Sequence, residues 1–315
     1  MKLVKPYLAV AASGLLRWTA SGREREARWP VRVLCVEIGS GFGGSALQVA
    51  RVCDQLDRRR FEPVVAAHAI AGHIERLRQN GLRVYQLPRP NLQRVGWWLK
   101  IRGTGFVVCV VPLTYHLMRL CRSERIGLIY LNNGIASELA GILAGRLLGI
   151  PVVCHLCGYD PLNGVSRFFS RWVKQFICQA SRIAQIHREE LGLPEKRIHV
   201  IHDGFDLERF LREGSTRDCA RQMLHLNRED KVVTLIARMV EGKGHRQFLN
   251  AIPRLTQQIP QLQILLVGDA PPGSNGSMRP QVEQQVRLFG LQQVVRILGW
   301  RTDTATILAA SDVLV

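Results

Sequence analysis

Arg238 and Lys243, in the segment LIARMVEGKGHRQFLNAI, are the residues best suited to chemistry: the arginine ends an apolar run and the lysine stands where helical periodicity begins. A guanidinium and an ammonium beside the unpaired amides of a helix start would hold a diphosphate and stabilise it as it leaves. Gly244, directly after the lysine, belongs to the same phosphate-binding element. The competing reading is two solvated basic side chains in a loop.

A second candidate is GSGFGG, which follows the apolar run at 31–38, with Gly39, Gly41 and Gly44 in G-x-G-x-x-G spacing. Glycines let a backbone approach a diphosphate, and the following helix supplies amides. A dinucleotide site also expects an acid at the end of the next strand, to hold a ribose. That strand ends His68-Ala69-Ile70, and its only acid, Glu62, lies at the opposite end. This counts against a nicotinamide cofactor and leaves a phosphate or sugar loop, or a glycine turn that packs helix on strand. His155 ends another apolar run; it reads either as a site residue or as a core histidine satisfied by backbone.

Eight cysteines are scattered through apolar segments, a pattern suited to a reducing cytosol. Cys154 and Cys157 form a C-x-x-C without a second ligand pair at matching spacing, so no metal is expected.

These residues need a scaffold. From Val31 the chain alternates strand and helix patterns: strands at 31–38, 64–70, 82–87, 126–131, 151–156, 182–186 and 197–201, helices near 44–57, 72–80, 92–122, 135–148 and 164–179. After HDGFDLERF a polar stretch reaches Asp230, and a second alternation follows: strands 231–237, 262–267, 294–298 and 312–315, helices 244–258, 280–289 and 303–310. Strand, helix, strand implies parallel, doubly wound sheets. The expected domains are an N-terminal extension at 1–30, a first Rossmann-like domain at 31–205, an interdomain linker region at 206–230 and a second Rossmann-like domain at 231–315. The second has four strands where five or six are usual, so it reads as incomplete, the chain being truncated at its C-terminus.

A formal net charge of +18 and a pI of about 10.4 point to an anionic partner. No helix-turn-helix, zinc-finger or RNA-binding signature accompanies the charge, so nucleic acid is not expected. The start, MKLVKPYLAVAASGLLRW, reads as an extension or interfacial anchor rather than a secretion signal, because Arg17 interrupts it. Residues 103–118 lack charged side chains but fall short of the roughly 18–20 needed to cross a bilayer. Trp97 and Trp98 among Arg94, Lys100 and Arg102 suit either a helix lying on a membrane or one packed on the first sheet.

The order of elements resembles the retaining family 4 glycosyltransferases, whose fold is GT-B: two Rossmann-like doubly wound domains facing a cleft. The similar segments are GFGGSALQVARVCDQL, NNGIASELAGILAGRLLGIPVVCHLCGYD, SRIAQIHREELGLPEKRIHVIHDGFDLERF, ARMVEGKG, LLVGDAPPG and ILGWRTDTATILAASDVLV. The resemblance implies a retaining, hexosyl-type sugar transfer from a nucleotide diphosphate sugar to an acceptor, lipid-linked or polysaccharide, without a cofactor or metal. It places Gly43 and Gly44 at the reaction centre, Arg238 and Lys243 on the donor diphosphate, and His155 near the transferred sugar. Asp269, in V-G-D, is a site residue or only a turn residue.

Departures accompany the likeness. Asp203-Gly204 stands where the family usually has Asn-Gly, and Ala270 replaces a usual glycine. The family's glutamate pair, separated by seven residues, would come after residue 315. The alternatives are therefore an inactive truncated fragment or binding module and, less favoured, an NAD-dependent oxidoreductase. The expected location is cytoplasmic, peripheral on the inner face of the membrane. Oligomeric state is not readable from the sequence.

Overall fold

The computed structural model describes residues 30–38, 43–88, 106–158, 163–204, 207–270 and 276–315. The extension at 1–29, Gly39 and Gly41, and the tryptophan-bearing part of the 92–122 helix lie outside the described residues. The chain divides into two compact units, Met1–Gly204 and Phe205–Val315.

In the first unit, seven parallel strands are ordered β3-β2-β1-β4-β5-β6-β7. They are β1 (Val31–Glu37), β2 (Phe61–Ala67), β3 (Arg83–Gln86), β4 (Leu128–Leu131), β5 (Val152–Leu156), β6 (Gln175–Cys178) and β7 (Ile198–Val200). Helices α1 (Gly44–Gln55) and α2 (Gly72–Gln79) cover one face of the sheet. α3 (Val111–Ser123), α4 (Leu139–Leu148), α5 (Gly164–Ser170) and α6 (Ser181–Leu191) cover the other. Burial on both faces explains the unbroken apolar strands: Leu34 and Val36 enter one core, Val33 and Cys35 the other. On α4, a Cβ at Gly145 would lie 2.3 Å from Val152 Cγ2, so the missing side chain is what lets this helix close onto β5.

Two expected elements differ. The 182–186 strand is part of α6, and the 164–179 helix ends at Ser170, with β6 following. β6 is a short strand buried on both faces, Phe176 in one core and Ile177 in the other, so its sequence shows no alternation. In α6 the inward residues are Ala184, His187 and Leu191, a helical spacing that a polar histidine disguises.

The second unit has strands β8 (Lys231–Ile236), β9 (Leu262–Val267), β10 (Val295–Gly299) and β11 (Val313–Leu314), all parallel in the order β10-β9-β8-β11. Two helices, α7 (Leu207–Glu213) and α8 (Arg217–Met223), occupy the 206–230 stretch expected as a linker. α8 is built into the unit: Ala220 and Leu224 join Val232, Ile307 and Ala310 in one core. Arg221 is buried, donating to the carbonyl oxygens of Ala310, Asn227, Arg228 and Asp230 and to Asp312 Oδ2 at 2.7–3.2 Å. A charge that looks solvated in sequence here ties helix to sheet. The remaining helices are α9 (His245–Gln258), α10 (Arg279–Leu288) and α11 (Thr304–Ala310).

Candidate active site

Open parallel sheets take ligands beyond the carboxyl ends of their strands, where the strand order reverses. In the first unit that point lies between β1 and β4, and the residues ending both strands are polar and buried. Glu37, fully buried at the end of β1, accepts hydrogen bonds from Asn132 Nδ2 at 3.0 Å, Asn133 Nδ2 at 3.4 Å and Ser45 Oγ at 3.2 Å. Asn132 also donates to the Ser45 carbonyl at 2.8 Å. The first turn of α1 is thus tied to the ends of both strands.

The network continues sideways. Asn133 reaches Glu138 Oε1 at 3.4 Å, Tyr130 hydroxyl contacts Asn132 Oδ1 at 3.3 Å, and the same hydroxyl lies 2.8 Å from His155 Nδ1. The Tyr130 hydroxyl thus links His155 to Asn132 and so to the Glu37 cluster. Burial pushes the Glu138 carboxyl up to about 8, and neighbouring Glu37 pushes the same way. Burial holds the His155 imidazole down to about 4, against the pull of Asp203. At neutral pH the pair is a protonated acid and a neutral imidazole. The thiols of Cys154 and Cys157 are likewise pushed up by burial, Cys157 to about 12. Among the described residues no group of three candidate ligands could hold a metal ion.

Gly43 caps α1 with φ 94°, a left-handed value, and open space surrounds a Cβ placed at Gly44. No side chain caps this helix, so its first amides face outward. Of the residues singled out in the sequence, Gly43, Gly44 and His155 therefore share one edge. His155 is fully buried, which makes it a support for that edge rather than a side chain on its surface. Glu37, Asn132, Asn133 and Glu138 were not singled out; the legible signal is an acid ending one strand and an Asn-Asn pair ending its neighbour.

In the second unit the reversal falls between β8 and β11, and the loop leaving β8 carries Arg238 and Lys243. Both are exposed, and among the described residues neither side chain has a hydrogen-bond or ion-pair partner. The loop beneath them is pinned. Met239 is fully buried, its carbonyl accepts from Met278 N at 2.9 Å, and Val240 bridges Ser277. Gly268 has φ 120°, and a Cβ there would lie 2.1 Å from the Ala237 carbonyl, so the turns after β8 and β9 touch backbone to backbone. Gly268 N donates to Gly299 O at 2.7 Å, adding the end of β10. Asp269 pairs with Arg279 at 2.6 Å and accepts from Ala270 N, which gives it a structural task at this edge. Gly244, with φ 79°, caps α9 without a side-chain bond or an acid in the first turn. Arg238, Lys243 and Gly244 thus share the loop between β8 and α9 with the exposed Glu241, which is ion-paired to neither cation among the described residues, and the helix start offers unsatisfied amides.

Residues 42–209, more than half of the chain, match the Glycosyltransferase Family 4 profile. The chain belongs to this family. Residues 230–315 match a second profile, Glycosyl transferases group 1. This family 4 chain is 26% identical over 213 residues to the UDP-Gal:alpha-D-GlcNAc-diphosphoundecaprenol alpha-1,3-galactosyltransferase of Escherichia coli, covering 63% of this chain and 54% of that protein. It is 23% identical over 281 residues to the GPI3 subunit of the Saccharomyces cerevisiae phosphatidylinositol N-acetylglucosaminyltransferase, covering 85% of this chain and 58% of that one. The chain spans about half the length of these curated relatives. Among solved structures, Anabaena Alr3699/HepE in complex with UDP-glucose superposes with a TM-score of 0.70 at 22% identity, covering 90% of this chain and 72% of that one. The fold is that of the GT-B glycosyltransferases.

Proposed function

We propose that this protein transfers a hexosyl-type sugar from a nucleoside diphosphate sugar to an acceptor, with retention at the anomeric carbon and without a metal. The observation that carries the reading is the pair Arg238 and Lys243 at the mouth of α9, exposed and without a carboxylate partner among the described residues. Breaking the bond between the sugar and the diphosphate adds a negative charge to a departing group that already carries two. A fixed guanidinium, an ammonium and helix amides stabilise that charge where it develops. The acceptor oxygen then bonds the anomeric carbon on the face the diphosphate vacates, and its proton leaves with the diphosphate. In this reading the first unit holds the acceptor beside Gly43 and Gly44, and the Glu37 network keeps that loop in place. His155 acts as a positioning residue through Tyr130 and Asn132. Family membership supports the class of reaction, and HepE, solved with UDP-glucose, supports a nucleotide sugar as donor.

The test is release of UDP or GDP from the corresponding sugar nucleotides by the full-length protein, compared with Lys243→Ala and Arg238→Ala. Loss of release with unchanged melting temperature is expected. Turnover equal to wild type in both variants refutes the assignment.

A further inference from the structure

The two helix layers of the first unit differ in charge. On the α1 and α2 side, Asp54 and Glu75 are present, and they pair with Arg76 and Arg78 at 2.9 and 2.8 Å. On the other face α3, α4 and α5 pack in succession, and residues 106–123, 139–148 and 163–174 contain no aspartate or glutamate. Arg119, Arg122, Arg146, Arg167 and Arg171 are all exposed there, and none forms an ion pair among the described residues. The carboxylates bordering these helices are turned in: Glu138 is buried in the network above, and Glu124 is buried and hydrogen-bonded by Arg83 and Tyr85. The next exposed acid on this face, Glu189, belongs to α6.

Apolar side chains stand outward between those arginines: Tyr115 is 60% exposed, Leu147 59% and Phe168 48%. Arg119 lies over the Tyr115 ring at 6.0 Å and Arg171 over Phe168 at 5.8 Å. An exposed apolar side chain alone is ordinary, but several among the arginines of three helices that carry no aspartate or glutamate are not. Duplex nucleic acid would be matched by the charge and not by the apolar groups. A bilayer with anionic headgroups offers both phosphates and an apolar boundary within a few ångströms.

We propose that the outer face of α3, α4 and α5 docks on an anionic lipid bilayer, its arginines on headgroup phosphates and Tyr115, Leu147 and Phe168 at the edge of the acyl region. This is surface attachment, since among the described residues no helix is long and apolar enough to cross a membrane. The docking stands on charge and exposure and not on the sugar-transfer reading. Where both hold, it brings a lipid-linked acceptor to the first unit.

The test is co-sedimentation of the full chain with vesicles of phosphatidylcholine alone or mixed with phosphatidylglycerol, without any sugar nucleotide, so that its outcome is independent of transferase activity. Binding to the mixed vesicles only, weakened by salt, is expected. Arg167→Glu with Arg171→Glu lowers the affinity about tenfold or more. Arg58→Glu with Arg59→Glu, the same charge change in the turn before β2, leaves it nearly unchanged. Leu147→Ser with Phe168→Ser removes the part of binding that survives high salt. All these side chains are exposed, so each variant keeps the wild-type melting transition. No sedimentation, equal losses for the two charge pairs, or binding indifferent to Arg167 and Arg171 would each overturn the assignment. Retention on DNA without vesicle binding would hand the face to nucleic acid and overturn it as well.

Discussion

The two sheet edges solve opposite problems. At the end of β1 and β4, Glu37, Asn132, Asn133 and Ser45 hydrogen-bond one another inside the protein before any ligand arrives. At the end of β8, Arg238 and Lys243 stand exposed, with Glu241 in the same loop ion-paired to neither among the described residues. The first arrangement ties the first turn of α1 to two strand ends; the second leaves two side-chain charges exposed and, among the described residues, unpaired. The same substitution type should therefore have different consequences in each unit.

The largest effect separates them directly. Arg238→Ala or Lys243→Ala is expected to lower turnover by roughly 10²–10³, as removal of a donor to a developing anion does. Stability should move by no more than about 0.5 kcal/mol, because both side chains are exposed. Steady-state kinetics with a melting curve checks both halves. In the first unit the order reverses. Glu37→Ala strips the shared acceptor from Ser45 and both asparagines and should cost about 3 kcal/mol in urea unfolding. A wild-type transition midpoint would contradict the wired edge. Next comes Gly268→Ala, which forces a Cβ against the Ala237 carbonyl at a positive φ. It should cost about 2 kcal/mol and loosen the cation loop, seen as a raised KM for the sugar nucleotide.

The smallest effect is in pH. Native Glu138, pushed up to about 8 from 4.5, keeps a proton that the unfolded chain releases. More protons are bound in the native state, so this contribution falls as pH rises from about 4.5 to about 8. Native His155, held down to about 4 from 6.5, stays neutral while the unfolded chain binds a proton, so its contribution falls as pH drops from 6.5 toward 4. The two oppose each other at mildly acid pH, and between 6.5 and 8 the glutamate acts alone. Unfolding free energy should therefore decline from pH 6.5 to 8, by on the order of 1 kcal/mol, with melting temperature following it, and Glu138→Gln should flatten that decline. A parallel decline in the variant would remove Glu138 as its cause.

The open edge was the legible one. An apolar run, two cations and a glycine before an amphipathic stretch are local in sequence, and Arg238, Lys243 and Gly244 share one loop as that pattern requires. The buried edge was illegible because its bonds join residues far apart. Glu37 and Asn132 are 95 positions apart, and each alone looks like the polar end of a strand or the start of a turn. His155 was visible, but its partner Tyr130 reads as one more apolar position in LIYL. The same blindness produced the exchange at 164–191, where burial on both faces erased the period of β6. It also made a linker of α8, because a buried arginine satisfied by carbonyls is indistinguishable in sequence from a solvated one.

Calorimetric titration of UDP and GDP into the wild-type protein and into the double variant Arg238→Ala with Lys243→Ala tests the central claim most directly. The account predicts binding of at least one diphosphate nucleotide, weakened by added salt and reduced at least about thirtyfold in the double variant, at roughly 1–2 kcal/mol per charged contact. Equal affinity in both proteins would show that the exposed cations at the end of β8 are not waiting for a diphosphate.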